Sequence, residues 1–231
     1  MHRLVLFDID GTLLAAGGAG ARAFRDALVE VFGTSGPIDG HSFAGKTDPQ
    51  IASELLQAVG LEHEHISAGL PELWRGYLAR LEPELARSRL RVLPGVPELL
   101  ARIEAASTDM VLGLLTGNLR EGARLKLDAA GIGFGRFAVG AYGCDHADRA
   151  ELPAVAVQRA EERTGRRFQR KEIVVIGDTP NDIACGEALG VRTVAVATGS
   201  YTPDQLAAYE PDYLFTSLEG TDAVVDAILQ D

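Results

Sequence analysis

Leu4-Val5-Leu6-Phe7-Asp8-Ile9-Asp10-Gly11-Thr12 carries four apolar residues in a row that stop on a carboxylate. An unbroken apolar run of this length, ended by a polar residue, is the signature of a central parallel strand buried on both faces. The same pattern returns downstream. Val111-Leu112-Gly113-Leu114-Leu115 precedes Thr116, Ile173-Val174-Val175-Ile176 precedes Gly177-Asp178, and Val194-Ala195-Val196-Ala197 precedes Thr198-Gly199. Tyr213-Leu214-Phe215 is a short fifth candidate. Between these runs, helical spacing predicts helices over Pro97 to Ala106, Arg120 to Ala130, Leu152 to Arg163, Pro180 to Leu189 and Thr221 to Leu229. Strands alternating with helices imply right-handed crossovers and an α/β, doubly wound parallel sheet.

One segment breaks the rhythm. From about Gly17 to Ser88 the spacing is helical throughout: Phe24, Leu28 and Phe32 recur every four residues, as do Ile51, Leu55 and Val59. Leu70, Leu73, Trp74, Tyr77, Leu78, Leu81 and Leu85 form a three/four stripe, read as the insert's own core. Asp48-Pro49 reads as a helix N-cap followed by proline at the first helical position. The expected organisation is a core of residues 1–16 and 89–231 with a helical insert over 17–88. Ala15-Ala16-Gly17-Gly18 and Leu93-Pro94-Gly95 serve as hinges between them.

Composition narrows the partners. The net charge is −11, which repels phosphate polymers and anionic lipid, so nucleic acid and membrane surfaces are not expected partners. An anionic small substrate must then be drawn by a local cation or metal. Cys144 and Cys185 build no disulfide framework. No run reaches the roughly 18 apolar residues of a membrane span. Leu4 to Phe7 is too short for a signal-peptide core. A cytoplasmic protein, monomer or homodimer, is expected.

Ligands of an open parallel sheet bind beyond the carboxyl ends of its strands. There the sequence places Asp8 and Asp10, then Thr116-Gly117-Asn118, then Asp178 and Asp182. Carboxylates gathered this way repel one another unless a cation sits among them, and a hard divalent ion such as Mg²⁺ suits oxygen ligands. Asp8 and Asp10 flank Ile9, whose side chain points the other way if the strand continues. Asp8 can then attack phosphorus while Asp10, on the turn beyond, handles a proton. Thr116 and the backbone N–H groups of Gly117 and Asn118 are read as the opening of a helix that holds phosphate. Asp182, three residues after Thr179, is equally the acidic half of a capping box, and Thr116 equally a helix cap.

Phe7-Asp8-Ile9-Asp10-Gly11-Thr12-Leu13, Leu115-Thr116-Gly117-Asn118 and Gly177-Asp178-Thr179-Pro180-Asn181-Asp182 resemble the first, second and fourth motifs of the haloacid dehalogenase-like superfamily of phosphohydrolases. The motifs stand in the right order and span almost the whole chain. The resemblance implies a Rossmann-like core, and the insert resembles the helical cap of phosphoglycolate phosphatase-like members. It further implies a Mg²⁺-dependent phosphatase acting on a small phosphorylated metabolite, such as a phosphoglycolate-like acid, through an aspartyl-phosphate. Asp8 is then the nucleophile, Asp10 the general acid and later base, and Thr116 a phosphoryl contact. Mg²⁺ is held by Asp8, the backbone carbonyl of Asp10 and Asp178, with Asp182 coordinating or just behind. Asp10 argues against dehalogenation, because dehalogenase members lack this second aspartate.

The family's third motif, a lysine or arginine in a K-P-x-P setting, has no match, since no Lys-Pro occurs. Arg149 stands nearest the expected position, with Lys126 and Lys46 as alternatives. Lys126 also reads as a solvated surface charge. Lys46, at the tip of Phe43-Ala44-Gly45-Lys46-Thr47-Asp48, is the expected cap contact to a substrate carboxylate or phosphate. His41, His63, His65 and His146 read as surface residues. A phosphomutase using the same aspartates is the nearest alternative. A phosphonate hydrolase with an imine on Lys46 ranks below it, as does an uncapped phospho-aspartate receiver module.

Overall fold

Strand β1 (Arg3–Phe7) is buried over its full length. Its side chains divide by parity, as the pleat requires. Val5 and Phe7 join one apolar cluster, with Leu99 and Leu100 of helix α4 (Val96–Ala105) and Val224 and Ile228 of α9 (Thr221–Leu229). Leu4 and Leu6 join another, with Leu152, Ala156 and Ala160 of α6 (Leu152–Thr164) and Cys185 of α7 (Pro180–Leu189). Both faces of the sheet are therefore covered, which explains why its strands read as continuous apolar runs. The computed structural model describes residues 2–105 and 110–230.

The sheet has six parallel strands in the order β5-β4-β1-β6-β7-β8. These are β4 (Met110–Thr116), β5 (Val139–Tyr142), β6 (Ile173–Gly177), β7 (Arg192–Val196) and β8 (Tyr213–Phe215). The chain leaves β1 for β4 and β5 on one side and then returns to its other side with β6, so the winding reverses around β1. Ligand sites form at such a reversal. Register fixes what meets there: Phe7 pairs with Leu114 of β4 and with Ile176 of β6. One or two residues further on, Asp8, Thr116 and Asp178 reach the same edge.

Among the described residues, three α-helices lie between residues 16 and 90: α1 (Ala19–Phe32), α2 (Asp48–Gln57) and α3 (His63–Arg87). Phe24, Leu28, Leu55, Leu56, Leu73, Tyr77 and Leu81 pack into a cluster of their own, to which Leu119 from beyond β4 is added. Where the chain crosses into and out of these helices, β2 (Leu14–Ala15) pairs antiparallel with β3 (Arg91–Val92). No helix among the described residues is long and apolar enough to cross a membrane.

Several sequence expectations shift. β5 escapes sequence reading because it has four residues and contains Gly140, against which the Tyr142 ring packs: a Cβ there would sit 2.4 Å from Tyr142 Oη. β2, β3 and the one-and-a-half-turn helix α8 (Pro203–Ala207) are too short for any periodicity. The fourth expected strand begins at Arg192 and ends at Val196, not Ala197. Ala106, the expected end of α4, lies outside the described residues.

Candidate active site

Asp8 follows the last residue of β1, and its N–H continues the ladder to the Ile176 carbonyl at 2.9 Å. Ile9 turns into the apolar cluster while Asp8 and Asp10 line a cavity of about 340 Å³, as the alternation requires. Beyond Asp10 the chain folds back through Gly11, which sits at φ +90° against Asp178; a Cβ there would lie 2.3 Å from the Asp178 carboxylate. Only glycine takes this conformation freely and leaves the carboxylate its place. Thr12 Oγ1 donates to Asp178 Oδ1 at 3.0 Å.

Asp8, Asp178 and Asp182 are all buried and present oxygens within 4.8 Å of one another. Among the described residues one cation reaches this trio: the Arg149 guanidinium, 5% exposed, donates to Asp8 Oδ1 at 3.0 Å and to Asp182 Oδ1 at 2.5 Å. Asp182 Oδ2 is taken by the N–H and Oγ1 of Thr179, at 3.0 and 2.6 Å. Asp182 closes the capping box of α7 and stands in the acidic cluster.

One arginine does not neutralise three buried carboxylates. Burial, with repulsion from Asp182 and Asp10, pushes Asp8 up to about 6 against the pull of Arg149. Burial and the charges of Asp8 and Asp182 push Asp178 up to about 8, against Thr12 and Arg149. Surplus negative charge on oxygen ligands in a buried cluster fits a hard divalent cation.

Arg149 reaches the nucleophile candidate, as expected of the third-motif cation. Lys126 does not, but neither is it a solvated charge. It is 5% exposed, and its ammonium donates to Asp10 Oδ2 at 2.5 Å and to Asn118 Oδ1 at 2.6 Å. Asn118 Nδ2 in turn donates to Asp10 Oδ2 at 2.9 Å and to Thr116 Oγ1 at 2.8 Å. Asp10, Asn118, Lys126 and Thr116 form one linked network, in which the Asp10 carboxylate is held apart from the acidic trio.

Two local expectations are corrected. Thr116-Gly117-Asn118 does not open a helix: Thr116 is the last residue of β4 and α5 (Arg120–Ala129) begins at Arg120. The Thr116 hydroxyl, which could have capped a helix, instead accepts from the Asn118 side chain. Asp48 does not cap α2. Thr47 does, accepting from the Gln50 N–H at 3.2 Å, which frees the Asp48 carboxylate for a different partner. Asp48 Oδ2 accepts the Leu119 N–H at 2.8 Å, at the start of α5. Burial pushes Asp48 up to about 6, opposed by Lys126 and the Leu119 N–H.

The loop carrying Asp48 closes the cavity from above. Asp48 N–H donates to the Gly117 carbonyl at 2.8 Å, Thr47 Oγ1 to the Ala147 carbonyl at 2.5 Å, and Asn181 Nδ2 to the Gly45 carbonyl at 2.8 Å. Gly117 permits the approach, since a Cβ there would lie 1.9 Å from the Lys46 carbonyl oxygen. Lys46 lines the cavity, but its ammonium lies 2.5 Å from Glu54 Oε2. His41 is not a surface residue: Nε2 lies 3.2 Å from the same carboxylate oxygen, and burial and Lys46 hold the imidazole below its usual value. His63, His65 and His146 are exposed.

Sequence reading missed Thr12, Asp48 and Tyr77 as site residues. Thr12 lies within the first motif, but its partner Asp178 is 166 positions away, so no local pattern marked its hydroxyl. In Thr47-Asp48-Pro49 two adjacent side chains compete for one capping role, so one of them had to be free. Tyr77 gave no signal, because on the apolar stripe of α3 its ring reads as core; it is 2% exposed and lines the cavity.

The model of the haloacid dehalogenase-like hydrolases matches residues 2–190. The "Probable phosphatase IndB" of Dickeya dadantii (strain 3937) is 25% identical over 237 residues, covering 100% of this chain and 96% of that protein. Two solved structures share the fold. A predicted phosphoglycolate phosphatase from Haemophilus somnus 129PT has a TM-score of 0.69 at 21% identity, covering 97% of this chain and 98% of that one. CbbY from Rhodobacter sphaeroides, solved in complex with phosphate, has a TM-score of 0.69 at 19% identity, covering 95% and 96%. At these identities the likeness to the solved structures speaks for architecture alone. The family model spans most of the sequence and takes in Asp8, Thr116, Arg149, Asp178 and Asp182, and on that ground the chain belongs to the haloacid dehalogenase-like hydrolases.

Proposed function

We propose that this protein is a Mg²⁺-dependent phosphatase that hydrolyses a small phosphorylated metabolite, of about phosphoglycolate size, through an aspartyl-phosphate on Asp8. The observation that carries the reading is the pair of separated carboxylates on one turn. Asp8 is fixed by Arg149 beside the acidic trio, while Asp10 is fixed by Lys126 and Asn118. Nucleophile and proton-transfer group thus have distinct surroundings, as a two-step transfer needs.

Asp8 attacks phosphorus, and Asp10 passes a proton, replaced from the Lys126 ammonium paired with it, to the departing oxygen. Asp10 then takes a proton from the water that opens the aspartyl-phosphate. Thr116 and the backbone N–H groups of Gly117 and Asn118 bind phosphoryl oxygens, and Arg149 offsets the charge of nucleophile and phosphate. Mg²⁺ on Asp8, the Asp10 backbone carbonyl and Asp178, with Asp182 close behind, would supply the positive charge that lets two anions meet. The loop closed over the cavity keeps water from the phosphoenzyme until the leaving group departs. A family whose curated relative is named a phosphatase supports the reading. A cytoplasmic setting accords with the free thiols Cys144 and Cys185.

Phosphate release from a panel of phosphorylated metabolites tests the proposal. Asp8→Asn should abolish turnover with the fold intact, and activity within tenfold of the unmodified enzyme would refute the assignment. Isomer formation from a sugar phosphate, without inorganic phosphate, would transfer the same aspartates to a phosphomutase.

A further inference from the structure

The cations that line the cavity are Lys46, Lys126 and Arg149. Each is already matched. Lys46 lies 2.5 Å from Glu54, Lys126 2.5 Å from Asp10, and Arg149 3.0 Å from Asp8 and 2.5 Å from Asp182. The lining acids are Asp8, Asp10, Asp48 and Asp178. Asp8 and Asp178 stand with Asp182 at the phosphoryl end. Asp10 and Asp48 remain at the other end, with one ammonium between them.

That end is where the leaving group must lie, since Asp10 serves the departing oxygen. Lys126 Nζ and Tyr77 Oη flank the same point, each 3.7 Å from where a Cβ on Gly20 would be, so Gly20 leaves room between them. Phe24, Phe43 and Ile51 supply the apolar wall. Asp48 is 8% exposed; its Oδ2 takes the Leu119 N–H, and no ammonium or guanidinium pairs with it among the described residues. A second carboxylate brought into this space meets a buried acid and finds no unmatched cation, which is costly in a low-dielectric site. A neutral hydroxyl accepts from Lys126 or Tyr77 and donates to the Asp48 carboxylate, leaving every group paired.

We propose that Asp48 is a specificity-determining residue that excludes carboxylate-bearing substrates. The cavity then takes monophosphates of short polyols, in which a neutral hydroxyl stands beside the phosphoester. This rests on the phosphatase reading above and narrows its substrate. Asp48 touches the part of the substrate that leaves, not the reacting phosphorus. Its effect is therefore on selection among substrates and not on the phosphoryl step as such.

A matched pair of probes isolates the charge. Ethylene glycol monophosphate and 2-phosphoglycolate have the same length and differ in ending as a hydroxyl or a carboxylate; p-nitrophenyl phosphate reports on phosphoryl transfer in general. With the unmodified enzyme, kcat/KM should favour ethylene glycol monophosphate by at least about tenfold. Asp48→Asn, which keeps an oxygen for the Leu119 N–H, should bring the two within about threefold. An unmodified enzyme that hydrolyses all three but takes 2-phosphoglycolate equally well or better overturns the inference and leaves the phosphatase intact. A folded Asp48→Asn variant that keeps the original ratio overturns the assignment to Asp48. Hydrolysis of none of the three removes the phosphatase reading and the inference with it.

Discussion

Metal binding should release protons, by an amount the acidic cluster fixes. Both shifts in the pair are upward, to about 6 for Asp8 and about 8 for Asp178, so each acid keeps its proton to higher pH than a free carboxyl. A divalent cation needs the ionised forms. At pH 7 an acid titrating near 8 is about nine-tenths protonated, so loading the site displaces close to one proton. Displacing it costs about 1.4 kcal/mol, or about tenfold in apparent affinity between pH 7 and pH 9. Below pH 6 Asp8 protonates as well, and affinity should fall towards hundredfold per pH unit. Titration calorimetry of Mg²⁺ into metal-free protein, in buffers of different ionisation enthalpy, reads the proton number directly. About one proton at pH 7, falling to near none above pH 9, is expected. Zero protons at pH 7, or an affinity flat from pH 6 to 9, would refute the reasoning.

Arg149→Met should destabilise the metal-free protein by about 3–5 kcal/mol, because it strips two buried carboxylates of their cation. The lowering of Tm should be larger at pH 8 than at pH 5, where protonation relieves the acids; an equal loss at both would contradict the charge argument. Gly117→Ala drives a Cβ into the Lys46 carbonyl oxygen, 1.9 Å away, so the backbone of the loop must shift; it should lower Tm and cost at least about tenfold in kcat/KM. Faster hydrogen exchange over 43–48 would show the loop displaced, and unaltered kinetics would show that its seating does not matter.

What sequence reading reached, and where it stopped, follows from the range of each signal. Burial on both faces of a parallel sheet makes β1, β4 and β6 continuous apolar runs, so the strands and the acids at their ends are visible from local composition. β5 is not, because four residues around Gly140 carry too little pattern. Asp8, Asp178 and Asp182 could be grouped from strand ends alone, since parallel register brings those ends together. The roles of Lys126 and Asp48 could not. Lys126 lies two helical turns past its motif and reads as surface until Asp10 and Asn118 are seen to bury it. Asp48 depends on which of two adjacent side chains caps α2, a choice settled by a Leu119 N–H more than 70 positions away.

Trapping the covalent enzyme tests the central claim most directly. Acid quench of the Mg²⁺-loaded protein during turnover, followed by peptide mass spectrometry, should find one phosphoryl group on the peptide containing Asp8, and on no other peptide. Borohydride reduction should convert that residue to homoserine, and Asp8→Asn should abolish both signals. Sustained phosphate release with Asp8 never modified, or with the label on a different side chain, would contradict the account.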